Sequence, residues 1–323
     1  MYTPPFEITP AIVNLISEIS EKIGALNLKK DLRLRKISKI KTLVGTLKIE
    51  GIEADEEKVT ALLEGKRVLA TKRELAEIKG AIALYENIDK FDYKNEKDLL
   101  KAHKILMQDV LKEAGVYRRK NVGVGNEKEI THIAPPANNV PKLMNDLFEW
   151  LNMTDLHPLI VSSVFHYEFE FIHPFVDGNG RIGRFWQTLI LYNWKSVFEY
   201  LPIESLIYEN QDEYYKAIEH STEIGSSIPF IEFMLNVILK TLNTPQVTPQ
   251  ATPQDEREKK IIEFCQTPRS RKEISEYIGI KDRKYLKEIL DRMIKRNLLQ
   301  MTLPDKPTSP KQKYVTLVKL LPN

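Results

Sequence analysis

Residues 173 to 184 read His-Pro-Phe-Val-Asp-Gly-Asn-Gly-Arg-Ile-Gly-Arg, and this stretch predicts a loop that leads into a helix. It combines a histidine, a carboxylate and two arginines with three glycines. Glycines let the backbone approach an anion without interference from Cβ atoms, and the free N–H groups of the following helix would face that anion. Arg181 and Arg184 are three residues apart and therefore share one helical face. The stretch predicts a site for the phosphates of a nucleotide.

The same glycines satisfy a competing pattern, the G-x-G-x-x-G of dinucleotide-binding folds, at Gly178, Gly180 and Gly183. That pattern requires a preceding strand in a βαβ unit and an acidic residue about 20 positions on, where this chain has Glu199. Residues 158 to 172 are too many for a typical strand, and their apolar side chains recur at helical spacing. We therefore predict a helix–loop–helix and reject the dinucleotide-binding interpretation.

The stretch resembles the signature of the Fic family, His-Pro-Phe-x-(Asp/Glu)-Gly-Asn-Gly-Arg-x-x-Arg, and meets it at every specified position. Members of this family mostly transfer AMP from ATP to a hydroxyl side chain of a target protein. The resemblance therefore implies a protein adenylyltransferase that modifies a Ser, Thr or Tyr hydroxyl of a target protein or of itself. It also implies a mainly α fold, with a Fic-like helical core and a small β-hairpin flap.

The resemblance also implies a role for each residue of the stretch. His173 would be the general base, and an ordinary histidine pKa of about 6.5 suits removal of a proton near neutral pH. Asp177 would hold a Mg²⁺ ion that bridges phosphates, and Phe175 would turn inward to anchor the loop. The nucleotide would be bound by the residues that follow, Gly178, Asn179, Gly180, Arg181, Ile182, Gly183 and Arg184. Within this set, the backbone of residues 178 to 180 and the Asn179 side chain would form the anion pocket, and Arg184 would bind the terminal phosphate.

A second motif ends a predicted N-terminal helix. Residues 29 to 49 carry apolar side chains at helical spacing, and a helix is expected to stop at Gly51. The string Thr-Leu-Lys-Ile-Glu-Gly at 46 to 51 resembles the family's inhibitory motif, (Ser/Thr)-x-x-x-Glu-(Gly/Asn), in the class whose inhibitory helix precedes the catalytic core. The resemblance implies that Glu50 pairs with Arg184 and prevents the terminal phosphate of ATP from docking productively. A carboxylate and a guanidinium are suited to such pairing.

Further segments extend the resemblance along the chain. Val122, Gly123 and Val124 resemble one strand of the family's flap, which would bind an extended segment of the target by strand addition. Residues 212 to 218 resemble the helix on the adenine side, where Tyr214 or Tyr215 would contact the nucleobase and ribose. The alternative is that both tyrosines only pack against the core.

Composition bounds the class of protein. The 323 residues are enough for two domains, and 42% hydrophobic with 29% charged residues is typical of a globular protein. No apolar run reaches the ~20 residues of a membrane span, and no signal sequence begins the chain, so we expect a cytoplasmic protein without a membrane partner. The single cysteine, Cys265, excludes an intrachain disulfide, and no Cys or His pair has zinc-ligand spacing.

Charge and repeats divide the chain. Residues 257–323 contain 17 Lys and Arg against 8 Asp and Glu, a balance of +9 in a chain whose total is +3. Three copies of a Thr-Pro-Gln repeat precede this part, and proline at every fourth position favours an extended spacer. We predict an N-terminal helical region at 1–95, the catalytic core at 96–243, a linker at 244–256 and a C-terminal domain at 257–323.

The C-terminal domain is predicted to contain three helices followed by a hairpin, which resembles a winged helix-turn-helix. Residues 271 to 278 form its second helix, and Asp282 caps the third. The positive charge would favour DNA bound through the third helix. A protein is the alternative partner of this domain.

Several functions stay open at this point. The first is adenylylation, and the second is transfer of another nucleotide monophosphate or removal of AMP with Glu50 orienting water. The third is a DNA-binding regulator that only senses nucleotide, which would not need His173 for nucleotide turnover. The family also implies a homodimer. The sequence identifies neither the interface, the target, the modified residue nor the signal that relieves inhibition by Glu50.

Overall fold

The computed structural model describes residues 2–25, 32–125, 130–243, 256–280, 282–295, 298–304, 309 and 311–317. The chain divides into two compact units, Met1–Val247 and Thr248–Asn323. The predicted repeat linker lies almost wholly outside the described residues, at 244–255. No helix among the described residues is long and apolar enough to cross a membrane.

The first unit is mainly helical, as predicted. Its described helices are, in chain order, α1 (Pro10–Ala25), α2 (Leu32–Ile49), α3 (Glu56–Leu63), α4 (Lys72–Tyr85), α5 (Glu96–Met107), α6 (Val140–Met153), α7 (Pro158–Ile172), α8 (Asn179–Trp194), α9 (Ile203–Glu209), α10 (Gln211–Ile224) and α11 (Ile228–Asn243). Short 3₁₀ turns occur at Ile88–Lys90, Ala137–Asn139 and Ser196–Tyr200.

Helices α7 and α8 pack against each other in the core of this unit. Both are buried along most of their length, which suits α7 because a helix that is apolar on all sides belongs in an interior. The loop 173–178 joins them, so the predicted helix–loop–helix is confirmed, and the element directly before the glycines is helix α7 and not a strand. Two arginines of α8, Arg181 and Arg184, are buried with it, each only 2% exposed.

Helix α2 ends where the sequence predicts. Its last residue is Ile49, and Gly51 follows with a φ of 72°, the left-handed conformation that stops helices. The helix packs mainly against α9, with Leu43 and Leu47 fully buried. Gly45 allows this packing, because a Cβ atom there would lie 2.6 Å from the Glu204 carbonyl carbon and from the Ser205 nitrogen.

We expect Gly45→Ala to destabilise the first unit by about 1–3 kcal/mol, because the new methyl group would collide with backbone that cannot rotate away. Urea unfolding followed by tryptophan fluorescence measures this, since all three tryptophans lie in the first unit. Gly24→Ala in α1 is the matched control: its Cβ would meet no heavy atom within 4 Å, so stability should stay equal or rise slightly. Equal stability of wild type and Gly45→Ala would mean that α2 can shift on α9.

A small hairpin interrupts the helices. Strand β1 (Gly123–Gly125) pairs antiparallel with β2 (Ile130–Ile133), with an irregularity in register between Val124 and Gly125. The predicted flap strand therefore begins at Gly123, and Val122 directly precedes it. Within the described residues this sheet has only these two strands, so each has an edge without a neighbouring strand.

The second unit contains helices α12 (Glu256–Phe264), α13 (Arg271–Ile278) and α14 (Arg283–Lys295), and strands β3 (Arg269–Ser270), β4 (Leu299–Met301) and β5 (Lys313–Thr316). The strands form an antiparallel sheet in the order β3-β5-β4. The three predicted helices and the hairpin are present, and the Asp282 carboxylate accepts the Tyr285 N–H at 3.2 Å as the predicted cap. The short strand β3 was not predicted. The last part of the predicted second hairpin strand, 318–321, lies outside the described residues.

Candidate active site

The loop 173–178 begins with a strained residue. His173 has a φ of 49° and is the one residue other than glycine with a positive φ in the described part of the chain. It ends α7, and its N–H donates to the Phe169 carbonyl at 2.9 Å. This backbone conformation costs free energy for a residue other than glycine, and it persists only when the surrounding contacts fix it. The position of the predicted base is therefore set by contacts around the loop.

Arg118 provides several of those contacts. Its buried guanidinium donates to the carbonyl oxygens of His173 at 2.8 Å, Pro135 at 2.6 Å and Ile172 at 3.3 Å. Its own N–H donates to the Pro174 carbonyl at 2.9 Å. One arginine thus joins the end of α7, the loop and the segment after β2. No motif in the sequence indicates this role of Arg118.

His103 and Phe175 hold the middle of the loop. Their rings stack with centroids 3.7 Å apart, and Phe175 is fully buried, which confirms its predicted inward position. The Gly115 N–H donates to His103 Nδ1 at 2.8 Å, so His103 Nε2 carries the proton and donates to the Asp177 carbonyl at 3.0 Å. Burial lowers the pKa of His103 to about 4, which keeps the ring neutral. His103 is a second loop contact that the sequence did not reveal.

Asn179 closes the loop from within. Its side-chain oxygen accepts the Phe175 N–H at 2.9 Å, and its NH₂ group donates to the Phe175 carbonyl at 2.9 Å. Both polar atoms of the Asn179 side chain therefore bond the loop backbone. The structure differs from our expectation that this side chain faces the anion. Gly178 has a φ of 85°, and a Cβ there would lie 3.0 Å from the Met107 sulfur, so glycine is required.

Residues in and next to the first turn of α8 face either the core or the candidate site. Ile182 is fully buried and its N–H donates to the Gly178 carbonyl, so it supports the helix and does not face a ligand. Gly183 gives space for packing, since a Cβ there would lie 2.7 Å from a Glu170 oxygen. The N–H groups of the first turn have no intrahelical partner, which makes this end of the helix a site for anions.

Arg181 has unused capacity to donate hydrogen bonds. One of its nitrogens, Nη2, donates to Asp177 Oδ1 at 3.2 Å. Its Nε and Nη1 are buried and make no hydrogen bond to the described residues. Burying such donors unpaired costs about 1–3 kcal/mol each, and a bound anion would recover that cost. This is the arrangement expected of a phosphate-binding arginine.

Asp177 is the one partly exposed carboxylate of the loop, with 34% of its side chain accessible. Its Oδ1 also accepts the Gly178 N–H at 2.6 Å, while Arg73 Nη2 lies 3.5 Å from its Oδ2. No group of three potential ligands for a metal occurs among the described residues. A single carboxylate fits a Mg²⁺ ion whose other ligands are phosphate oxygens and waters.

Glu50 and Arg184 form the predicted pair. Arg184 Nη2 donates to Glu50 Oε1 at 2.7 Å and to the Thr46 carbonyl at 3.1 Å, and Arg184 Nε donates to the Thr46 hydroxyl at 3.2 Å. Both specified residues of the motif, Thr46 and Glu50, thus contact one guanidinium. A Cβ on Gly180 would lie 2.5 Å from Glu50 Oε1, so the carboxylate also lies directly against the first turn of α8.

The two tyrosines of α10 have different surroundings. Tyr214 is 1% exposed, and its hydroxyl lies 3.1 Å from His166 Nε2, while His166 Nδ1 lies 2.5 Å from the Gln187 side-chain oxygen. Tyr214 is therefore a core residue in this structure. Tyr215 is 48% exposed, and its hydroxyl donates to the Ile49 carbonyl at 3.3 Å. Of the two, Tyr215 is the one that a nucleobase could reach.

Glu170 is an additional buried carboxyl group near Arg184 that no motif in the sequence indicates. Its side chain is 10% exposed, and its Oε1 is 3.9 Å from His166 Nε2. Burial raises the pKa of Glu170 to about 8, and the charge of Glu50 adds to this while Arg184 opposes it. The group is therefore largely protonated at neutral pH.

We expect the stability of the wild type, compared with Glu170→Gln, to fall as the pH rises from about 4.5 to about 8. The folded chain keeps the Glu170 proton up to about pH 8, whereas the unfolded chain releases it near its ordinary pKa of about 4.3. The folded state binds more protons in this window, so raising the pH favours unfolding. Urea unfolding at several pH values measures the difference. Parallel curves for the two proteins would show that Glu170 is ionised in the folded state.

Comparisons with known proteins agree with the geometry. The model of the Fic/DOC family matches residues 93–191, and a model described as "Filamentation induced by cAMP protein Fic-like, C-terminal domain" matches residues 258–316. A crystal structure of a Fic family protein from Desulfovibrio desulfuricans G20 is 40% identical, with a TM-score of 0.74, over 99% of this chain and 100% of that one. Fic-1 from C. elegans is 22% identical, with a TM-score of 0.58, over 72% of this chain and 69% of that one, and is similar in fold.

Curated relatives include the protein adenylyltransferases Fic of Drosophila erecta and Drosophila melanogaster. Each is 32% identical over 151 residues, which is 46% of this chain. The match spans only 28% of the length of these relatives.

Proposed function

This chain belongs to the Fic family, and from that premise we propose that it is a protein adenylyltransferase that moves AMP from ATP to a hydroxyl of a target protein or of itself. The observation that carries the proposal is the first turn of α8. There Arg181 keeps two buried N–H-bearing nitrogens without a hydrogen-bond partner in the described part of the chain, close to the loop that begins with His173. The phosphates of a nucleoside triphosphate match both the positive charge of Arg181 and its free hydrogen-bond donors.

In the proposed reaction, the hydroxyl oxygen of a Ser, Thr or Tyr side chain attacks the α-phosphorus of ATP. His173 takes the hydroxyl proton as the new oxygen–phosphorus bond forms. The bond between the α-phosphorus and the oxygen that bridges to the β-phosphorus breaks, and pyrophosphate leaves with the electron pair. Such transfers need mainly positioning and neutralisation of charge. The strained and tightly held backbone of His173 supports its role, because a general base must have a fixed position.

The residues around the loop would share the binding of the phosphates. Arg181 would use Nε and Nη1, together with the N–H groups that begin α8. Asp177 would hold Mg²⁺, which would supply positive charge for the phosphates when bound. Arg73 and Arg181 lie near the same carboxylate, so they would keep its position until the ion arrives.

We infer that Glu50 restrains this activity. Its carboxylate engages Arg184 Nη2 at 2.7 Å and lies against Gly180, the place where an anion at the end of α8 would bind. A guanidinium already paired with a carboxylate is not free to orient the terminal phosphate. The wild-type chain would therefore be a slow enzyme.

The hairpin β1–β2 is the proposed binding place for the target. An extended target segment would pair with an open edge of the hairpin next to Val122, Gly123 and Val124. Arg118 supports this role, because it joins the base of the hairpin, at Pro135, to the His173 carbonyl. A target held by the hairpin would thus be in register with the base.

Transfer of label from ATP tests the proposed function. The chain is incubated with Mg²⁺ and with ATP labelled at either the α- or the γ-phosphate, and the protein is then run on a denaturing gel. We expect covalent α-label and no γ-label. Label from the γ-phosphate alone would show phosphotransfer, and nucleotide binding without any covalent label would favour a sensor or a target-dependent enzyme. Competition by CTP, GTP and UTP tests transfer of other nucleotide monophosphates.

A further inference from the structure

The last turn of α2 is held at each of its terminal carbonyl groups. The final four carbonyl oxygens of a helix have no intrahelical partners. When they are buried, they must accept hydrogen bonds from donors elsewhere. The donors are Arg184 Nη2 for Thr46 (3.1 Å), the N–H groups of Glu50 and Ile52 for Leu47 (both 3.1 Å), the N–H of Gly51 for Lys48 (2.9 Å), and two side chains of α10 for Ile49. The carbonyl next to Glu50 is thus the one held by α10.

Those two side chains are Gln211 and Tyr215, which we call the Ile49 clamp. Gln211 Nε2 donates to the Ile49 carbonyl at 2.8 Å, and the Tyr215 hydroxyl donates to the same oxygen at 3.3 Å. The two residues are one turn apart on α10, with Gln211 Nε2 also 3.4 Å from the Tyr215 hydroxyl. Two donors from one helix face therefore meet one acceptor.

The rest of α2 has little freedom to move. Leu43 and Leu47 are fully buried, and Gly45 lies directly against the backbone of α9. Removing the whole helix from Arg184 would expose this core. The Glu50 side chain, by contrast, is 27% exposed and lies one residue beyond the end of the helix. Release of Arg184 is therefore expected to be a local event in the last turn.

We propose that Gln211 and Tyr215 are positioning residues that hold Glu50 on Arg184 through the Ile49 carbonyl, and so set the strength of the autoinhibition. This inference rests on the proposed role of Glu50. Without the clamp, the last turn of α2 would fray and Glu50 would spend less time on Arg184. One neutral hydrogen bond contributes about 0.5–1.5 kcal/mol, which corresponds to a change of about twofold to twelvefold.

The test compares Gln211→Met, which has nearly the same length but no donor, with the wild type. Calorimetric titration gives the affinities for ATP and for ADP in the presence of Mg²⁺. We expect ATP to bind about twofold to twelvefold more tightly in Gln211→Met, with ADP affinity unchanged, because only ATP has the terminal phosphate that competes with Glu50. Self-labelling from α-labelled ATP should rise by a similar factor. Tyr215→Phe keeps the ring, removes the second donor and should give a smaller effect in the same direction.

The Glu50→Gly background identifies the route of the effect. There, Gln211→Met should change neither ATP affinity nor labelling, since Glu50 is gone. Glu219→Gln, exposed further along α10, is the matched control and should behave as wild type. Equal losses of ATP and ADP affinity in Gln211→Met, or the same gain in both backgrounds, would overturn the clamp. If Glu50→Gly binds ATP but does not label itself, self-modification fails as a reaction of the proposed enzyme, and the ATP-to-ADP affinity ratio of Gln211→Met still decides the clamp.

Discussion

We expect the Glu50→Gly variant to transfer AMP to itself about ten to a hundred times faster than the wild-type chain. Removing the carboxylate breaks the 2.7 Å hydrogen bond to Arg184 Nη2 and opens the space against Gly180. A hydrogen bond between charged groups is worth about 1.5–3 kcal/mol, and this free energy becomes available to a terminal phosphate. The initial rate of α-label incorporation, measured with Mg²⁺ at an ATP concentration well below saturation for both proteins, gives the factor.

Glycine is a suitable replacement at this position. Glu50 follows the last residue of α2, where glycine is well tolerated, so the helix should keep its end at Ile49. Glu53→Gly is the control. The Glu53 side chain is exposed and lies three residues after Glu50, so this variant should transfer AMP at the wild-type rate. Equal rates for Glu50→Gly and wild type, with ATP bound by both, would show that the pair with Arg184 does not limit transfer.

The part of the site that could be predicted from sequence consists of residues whose partners are close in the chain or fixed by a motif. The family resemblance implied that Phe175 turns inward, and the structure buries it fully. The end of α2 could be predicted because Gly51 is a local signal. The pairing of Glu50 with Arg184 spans 134 positions, and only the family resemblance connected the two residues.

Arg118 and His103 could not be predicted because their polar partners are backbone groups. The Arg118 guanidinium donates to carbonyl oxygens, and His103 bonds the Gly115 N–H and the Asp177 carbonyl. Every residue presents such groups, so no complementary side chain in the sequence indicates the contact. The assignment of Asn179 to the anion pocket differed from the structure for the same reason, since both of its partners belong to the backbone of Phe175.

The two tyrosines of α10 show a second limit of prediction from sequence. Sequence spacing places Tyr214 and Tyr215 on adjacent faces of one helix but does not indicate which face meets the core. The packing of α11 decides it, because Phe230 and Phe233 surround the Tyr214 ring with centroids 5.8 and 6.0 Å away. Tyr215 is then left near the end of α2, where it meets the Ile49 carbonyl.

We expect His173→Ala, made in the Glu50→Gly background, to lower AMP transfer by about a hundredfold to ten-thousandfold. General base catalysis contributes a factor of this size, and an alanine cannot accept the hydroxyl proton. ATP affinity should stay within about twofold, because Arg181, Asp177 and the first turn of α8 are unchanged. The Glu50→Gly background is needed, because the slow transfer expected of the wild type would make a further decrease hard to measure.

The conformation of residue 173 requires a second variant. The φ of 49° is less costly for asparagine than for alanine, so His173→Asn keeps the loop while removing the strongest base. Both variants should lose transfer to a similar extent if His173 acts as the base, whereas recovery in His173→Asn would mean that the alanine variant fails because the loop changes shape. His220→Ala, an exposed histidine on α10, should leave the rate unaltered. Retention of full transfer in both His173 variants would exclude this residue as the base and require another group near the loop to take the proton.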